Sequence, residues 1–207
     1  MLLTNIKAVV FDLDNTLVSS NLDFKTIKHQ LGCPTEQDLL QFVADLPAIK
    51  QQSATEFIYQ HELADANTAH ELAGCQQIIS TLSRLDLHTA IVTRNCKDAA
   101  AIKVNNNQIN IKTVLTREDH VAKPAPDALY FLANKWQIDC QDILYVGDYI
   151  YDIQLAQNAS AISCLLTYQR TLSFAQQADI TVANLLELDD LLKQQLSATS
   201  NQIHSIS

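Results

Sequence analysis

Two aspartates one residue apart, Asp12 and Asp14, end the apolar run Val9-Val10-Phe11. Side chains of a strand alternate faces, so both carboxylates should point to the same side where that strand runs out. Carboxylates held this close repel each other unless a cation bridges them or one of them keeps a proton. Either arrangement suits hydrolytic chemistry on phosphate. Asp-x-Asp by itself is short enough to arise by accident, as an acidic loop after a buried strand.

Three later segments add to it. The run His88-Thr89-Ala90-Ile91-Val92 ends in Thr93-Arg94-Asn95, which presents a hydroxyl, a guanidinium and an amide at a strand tip. Ala122-Lys123-Pro124-Ala125-Pro126-Asp127 places a lysine just ahead of a proline-marked helix start. Ile143-Leu144-Tyr145-Val146 ends in Gly147-Asp148-Tyr149-Ile150-Tyr151-Asp152, which returns two carboxylates four residues apart. Each motif is weak alone, but all four occur in order, each beside an expected strand end or helix start.

With these residues the chain resembles the haloacid dehalogenase (HAD) superfamily, in particular its phosphatases. Asp12/Asp14, Thr93, Lys123 and Asp148/Asp152 occupy the four motif positions of that superfamily, and the resemblance covers roughly residues 5 to 192. The Lys-Pro-x-Pro and Gly-Asp-x-x-x-Asp forms are similar to its phosphoglycolate-phosphatase-like branch. One departure is Asn15 where many members carry Gly; Asn tolerates a left-handed backbone better than most residues, so the turn can survive.

The resemblance implies a role for each residue. Asp12 is the nucleophile that forms an aspartyl-phosphate, and Asp14 protonates the departing alkoxide and then deprotonates the attacking water. Magnesium sits among Asp12, the Asp14 backbone carbonyl and Asp148, with waters and the phosphate completing its oxygen ligands. Thr93, Asn95 and nearby backbone N–H groups bind the substrate phosphate, with Lys123 neutralising charge on phosphate and nucleophile alike; Arg94, beside them at the strand tip, reads either as a contact to a substrate group or as a solvated or salt-bridged surface residue. Asp152 supports the site by orienting Lys123 or a metal-bound water. Its alternative is a helix-start carboxylate that interacts with the helix dipole.

The elements that must position these groups alternate. Residues 18 to about 74 show helical periodicity, with Leu39, Leu40, Val43 and Leu46 recurring at helical spacing, as do Ala54, Phe57, Ile58 and His61. Helices through Ile78, Ile79, Leu82 and Leu85, and through Leu129, Leu132, Ala133 and Trp136, precede the strands at 88–92 and 143–146. Further strands are expected at 163–166 and 180–182, then a closing helix at 185–192. The expected fold is α/β, a doubly wound parallel sheet of the Rossmann type with ligands at the carboxyl ends of its strands. Residues 1–17 and 75–196 would make the catalytic core, 18–74 an inserted all-helical cap, and 197–207 a polar tail that frays. A cap directly after the nucleophile loop implies a roofed site, suited to a small phosphorylated metabolite rather than to phosphoproteins or polymers.

Composition agrees with this assignment. The chain has 207 residues, 47% of them hydrophobic, and a formal charge of -9. That charge argues against nucleic acid or an anionic membrane as partner, and no apolar run reaches the length of a membrane span. The N-terminus enters a strand without a signal-peptide pattern, so a cytoplasmic protein, monomer or homodimer, is expected. The five cysteines are scattered without Cys-x-x-Cys, which suggests neither a disulfide framework nor a zinc site.

Other residues carry less. The six histidines show no ligand spacing; Lys25 and Lys28, near the start of the insert, read as a solvated face or, alternatively, as contacts to an anionic substrate, and Tyr149 or Tyr151 as a packing residue. Within the superfamily the rival reading is a phosphomutase, which passes the phosphoryl group back to a sugar. From another class it is a phosphoreceiver, against which the long insert between Asp14 and Thr93 argues, or a non-catalytic binding protein, against which the presence of every motif residue argues. A dehalogenase would leave Asp14 without a task.

Overall fold

The computed structural model describes the backbone of residues 3–203 and side chains from 3 to 194. Its centre is a six-stranded sheet in which every pairing is parallel. In chain order the strands are β1 (Ala8–Phe11), β2 (His88–Val92), β3 (Val114–Leu115), β4 (Ile143–Gly147), β5 (Ile162–Leu166) and β6 (Ile180–Val182). Their spatial order is β3-β2-β1-β4-β5-β6.

The strands are apolar throughout because the sheet is covered on both faces. Val9 and Phe11 pack into one core with Ile78, Ile79 and Leu82 of α4 (Cys75–Arg84), Ala100 of α5 (Lys97–Asn106) and Leu185, Leu188 and Leu192 of α8 (Leu185–Ile203). Ala8 and Val10, pointing the other way, pack with Ala128, Leu129, Leu132 and Ala133 of α6 (Asp127–Trp136) and Leu155, Ala156 and Ala159 of α7 (Ile150–Ala159). Side chains such as Ile78 and Leu82 have no exposed surface, and each contributes on the order of 1.5–3 kcal/mol by leaving water.

The expected strands and helices are thus found, together with two that the sequence did not suggest: the two-residue strand β3 and helix α5. The closing helix runs past its expected end at 192, to Ile203. The fraying expected of 197–207 concerns residues whose side chains lie outside the described ones.

Between β1 and α4 come three helices, α1 (Phe24–Leu31), α2 (Leu39–Ala44) and α3 (Ala48–Ala66). They share a separate apolar cluster of Ile27, Cys33, Leu39, Val43, Ala54 and Ile58. Asp23 and Asp38 start α1 and α2 by accepting the backbone N–H of Thr26 and Gln41. No helix among the described residues is long and apolar enough to cross a membrane, and the five cysteines are free.

Candidate active site

The chain leaves β1 in opposite directions, to β2 and β3 on one side and to β4 on the other, so the crevice where the order reverses opens beyond the tips of β1 and β4. Asp12 follows β1 and Asp148 follows β4. Asn15 closes the turn after the aspartates with a left-handed backbone, φ 52°, and its side-chain oxygen accepts the Ser20 N–H at 3.1 Å. The turn therefore survives without glycine, as expected.

One cavity of about 380 Å³ is lined by Asp12, Asp14, Thr93, Arg94, Asn95, Lys123, Asp148 and Asp152 together. Lys123, delivered by the loop between β3 and α6, is buried and donates to Asp12 Oδ1 at 2.6 Å and to Asp152 Oδ1 at 2.7 Å. Its ammonium also lies 5.7 Å from the ring centre of buried Tyr145.

Asp152 occupies the first turn of α7, and its second oxygen accepts the backbone N–H groups of Asp148 at 3.1 Å and Tyr149 at 3.0 Å. The two readings of this residue are therefore compatible: it caps the start of α7 and accepts from the lysine. Gly147 makes this possible, since a Cβ there would lie 2.2 Å from Asp152 Cγ.

Asp12, Asp148 and Asp152 each bring a carboxylate oxygen within 4.8 Å of the others. Both Asp152 oxygens are taken. Asp12 Oδ2 and Asp148 Oδ1 have no protein hydrogen-bond partner among the described residues, while Asp148 Oδ2 accepts from Arg170 at 3.1 Å. Burial pushes the Asp148 carboxyl up to about 7, and the neighbouring Asp152 charge adds to it. Burial likewise raises Asp12, against the pull of Lys123. Two hard oxygens with raised proton affinity, facing one cavity, fit a small divalent cation such as magnesium.

The Asp14 carboxylate is held elsewhere. Lys103, fully buried on α5, donates to Asp14 Oδ1 at 2.5 Å and to Asp65 Oδ2 of α3 at 2.7 Å. Asn95 Nδ2 donates to Asp14 Oδ2 and to Thr93 Oγ1, each at 2.9 Å. Burial raises the Asp14 carboxyl above its ordinary range, and Lys103 opposes that shift. Asp14 is thus no side-chain member of that carboxylate cluster, and only its backbone carbonyl could take the expected ligand role.

Arg94 lines the cavity, but its guanidinium is committed. It donates to the Lys123 carbonyl and to Asp38 Oδ2, the latter at 2.6 Å, and it lies 4.6 Å from the Tyr151 ring centre. Tyr151 packs against Arg94 and, like the more exposed Tyr149, lines the cavity. Among the described residues no histidine lines the cavity.

The groups that the sequence did not reveal are Lys103, Asp65, Arg170 and the pair Glu62–Arg117. Glu62 of α3 accepts from Arg117 at 2.5 Å and from the Cys96 backbone N–H at 3.0 Å. A lysine in the apolar stretch Ala99-Ala100-Ala101-Ile102-Lys103-Val104 was a usable signal: an unpaired charge at such a position needs a buried partner.

A haloacid dehalogenase-like hydrolase family model matches residues 9–165. A haloacid dehalogenase-like hydrolase domain-containing protein of Arabidopsis thaliana is 28% identical over 177 residues, which cover 79% of this chain and 71% of the relative. Phosphoglycolate phosphatase of Chromobacterium violaceum is 26% identical over 224 residues, covering 93% and 99%. The fold is shared with a hydrolase from Pseudomonas syringae, TM-score 0.77 at 20% identity, covering 91% of this chain and 98% of that one. The matched span opens within the strand that precedes Asp12 and closes beyond Asp152, taking in all six motif residues, and the chain belongs to the haloacid dehalogenase-like hydrolase family.

Proposed function

We propose that the protein is a magnesium-dependent phosphatase of small phosphate monoesters that works through an aspartyl-phosphate on Asp12. The observation that carries this reading is the Asp12–Lys123–Asp152 chain, with contacts of 2.6 and 2.7 Å, in one cavity with Asp14, Thr93 and Asp148. Family membership and relatives named as phosphatases support it.

A phosphate dianion repels an anionic attacker, so the site must neutralise phosphoryl oxygens and fix an in-line approach. Lys123 supplies a buried positive charge next to the attacking oxygen. The Thr93 oxygen already accepts from the Asn95 side chain and backbone, at 2.9 and 3.2 Å, which leaves the hydroxyl proton for a phosphoryl oxygen. Asp12 and Asp148, with the Asp14 carbonyl, would hold magnesium, whose chemistry is to neutralise charge on the phosphate and the nucleophile.

Asp14 would give its proton to the alkoxide as the ester bond breaks, and then take one from the water that cleaves the aspartyl-phosphate. Lys103 and Asn95 hold one carboxylate oxygen each, so the group keeps its position through both transfers. Helices α1–α3 and the loops around them would form the cap, bounded at 18 and 74, that covers the cavity and limits it to small substrates.

The test is phosphate release from a panel of small phosphorylated metabolites, with and without magnesium, using Asp12→Asn as control. Release that survives chelation and that substitution would overturn the mechanism. A wild type that gains covalent phosphate without releasing it to water would instead favour a transferase or receiver.

A further inference from the structure

We infer that the cavity selects phosphate monoesters of uncharged alcohols that present an apolar face, rather than esters whose alcohol part carries a second anionic group. This rests on the phosphatase reading and names the leaving group it would act on.

The polar floor of the cavity comes from the core, but its remaining wall is of another kind. Leu22, Phe24, Leu39, Leu40 and Ile58 from the insert, with Tyr149 from the start of α7, give that wall its apolar surface. Phe24 and Tyr149 are 55% and 52% exposed, so two large rings remain in water at a cavity of a size that fits a small molecule. An apolar group lying against them would remove surface from water on both sides.

The cations give the same answer. Lys28 Nζ donates to the Thr35 carbonyl at 2.6 Å. Arg94 is held by Asp38 and the Lys123 carbonyl. Arg170 donates to Asp148 Oδ2 and to the Thr167 carbonyl, each at 3.1 Å. Lys123 serves Asp12 and Asp152. Every cation lining the cavity therefore has a protein acceptor, and the wall also carries Asp38 and Glu62. From residue 18 to 74 the insert holds three lysines (Lys25, Lys28, Lys50) against eight acids (Asp23, Glu36, Asp38, Asp45, Glu56, Glu62, Asp65, Glu71). Arg94, Lys123 and Arg170 already pair with a carboxylate each and Lys28 rests on a backbone carbonyl, so a carboxylate on the alcohol part would have to share a committed cation while facing these acids, which selects against it.

The experiment compares kcat/KM for benzyl phosphate and 2-phosphoglycolate on the full chain with magnesium. Both leave as alkoxides, so the ratio reads the wall. Benzyl phosphate should lead by at least about tenfold, and Phe24→Lys, at an exposed position, should cut that ratio by about tenfold. Because the ratio is internal to the active fraction, partial misfolding does not alter it.

A lead below tenfold, a preference for 2-phosphoglycolate, or a ratio that Phe24→Lys leaves unchanged overturns the leaving-group assignment and leaves hydrolysis standing. Release from neither ester while other phosphorylated metabolites are hydrolysed does the same. Release from no substrate at all sinks the phosphatase reading, and this inference with it.

Discussion

Lys103 of α5 and Asp65 of α3 meet as a buried ion pair, Nζ to Oδ2 at 2.7 Å, with the lysine side chain wholly out of water. The same ammonium holds Asp14, so the sheet, the insert and the proposed acid–base carboxylate share one charge. Asp65 further accepts from the Ser20 hydroxyl at 2.9 Å and the Asn21 backbone N–H at 2.6 Å. Helix α3 is thereby tied to the core at Asp65 and at Glu62.

Lys103→Met should therefore destabilise the protein by about 3–5 kcal/mol, because it leaves two buried carboxylates without their counter-charge. Urea unfolding measures this. Adding Asp65→Asn to that variant should recover part of the loss, and a Lys103→Met protein as stable as wild type would contradict the pair's importance.

Asp12→Asn should abolish phosphate release, by more than about a thousandfold, and keep the native circular dichroism spectrum, since the amide has the shape of the carboxylate but cannot attack phosphorus. Thr93→Val, which removes one donor to the phosphoryl group, should lower kcat by about a hundredfold. A Thr93→Val enzyme with wild-type kcat would remove that hydroxyl from the mechanism.

The parallel sheet and the acidic residues at its strand tips were legible because strand alternation and strand ends are local properties: Phe11-Asp12-Leu13-Asp14 and Val146-Gly147-Asp148 announce both polarity and position. Lys123 and Asp152 were legible as residues, but their 2.7 Å contact depends on the β3–α6 loop meeting the first turn of α7, which no short window contains. Helix α5 went unread because its buried lysine breaks the apolar stripe, and the reason for that lysine lies 38 residues earlier, at Asp65. Strand β3 is too short to show a period. Arg94 could be read from sequence as a substrate contact or as a salt-bridged residue, and only the fold, by bringing Asp38 to it, decides for the salt bridge.

Metal and proton should compete. Burial raises the Asp148 carboxyl from its ordinary 3.8 to about 7, and Asp12 moves the same way. The folded state thus binds these protons more tightly than the unfolded chain. Their contribution to stability is complete below about pH 4 and is lost as pH rises, through about 7 for Asp148. Magnesium would take the protons' place, so the increase it brings in Tm should be larger near pH 8 than near pH 6, and Asp148→Asn should remove most of it. Equal shifts at the two pH values would count against a metal between these carboxylates.

Asp38 does two jobs, with one oxygen on the Gln41 N–H and the other on Arg94. Asp38→Ala should cost about 1 kcal/mol for the lost helix cap. A double-mutant cycle with Arg94→Ala should return a coupling of only about 0.2–1 kcal/mol, since the side chains of the pair are 27% and 22% exposed. Urea unfolding of the three variants gives both figures. A larger coupling would mean that Arg94 also pins the insert to the core.

The missing side chain at Gly147 has a lasting consequence. With a Cβ falling 2.2 Å from Asp152 Cγ, even alanine would push that carboxylate away from Lys123 and from the two N–H groups it caps. The position is thus closed to the other nineteen amino acids by sterics rather than by backbone preference, and a randomised library at codon 147, selected for turnover, should return one residue.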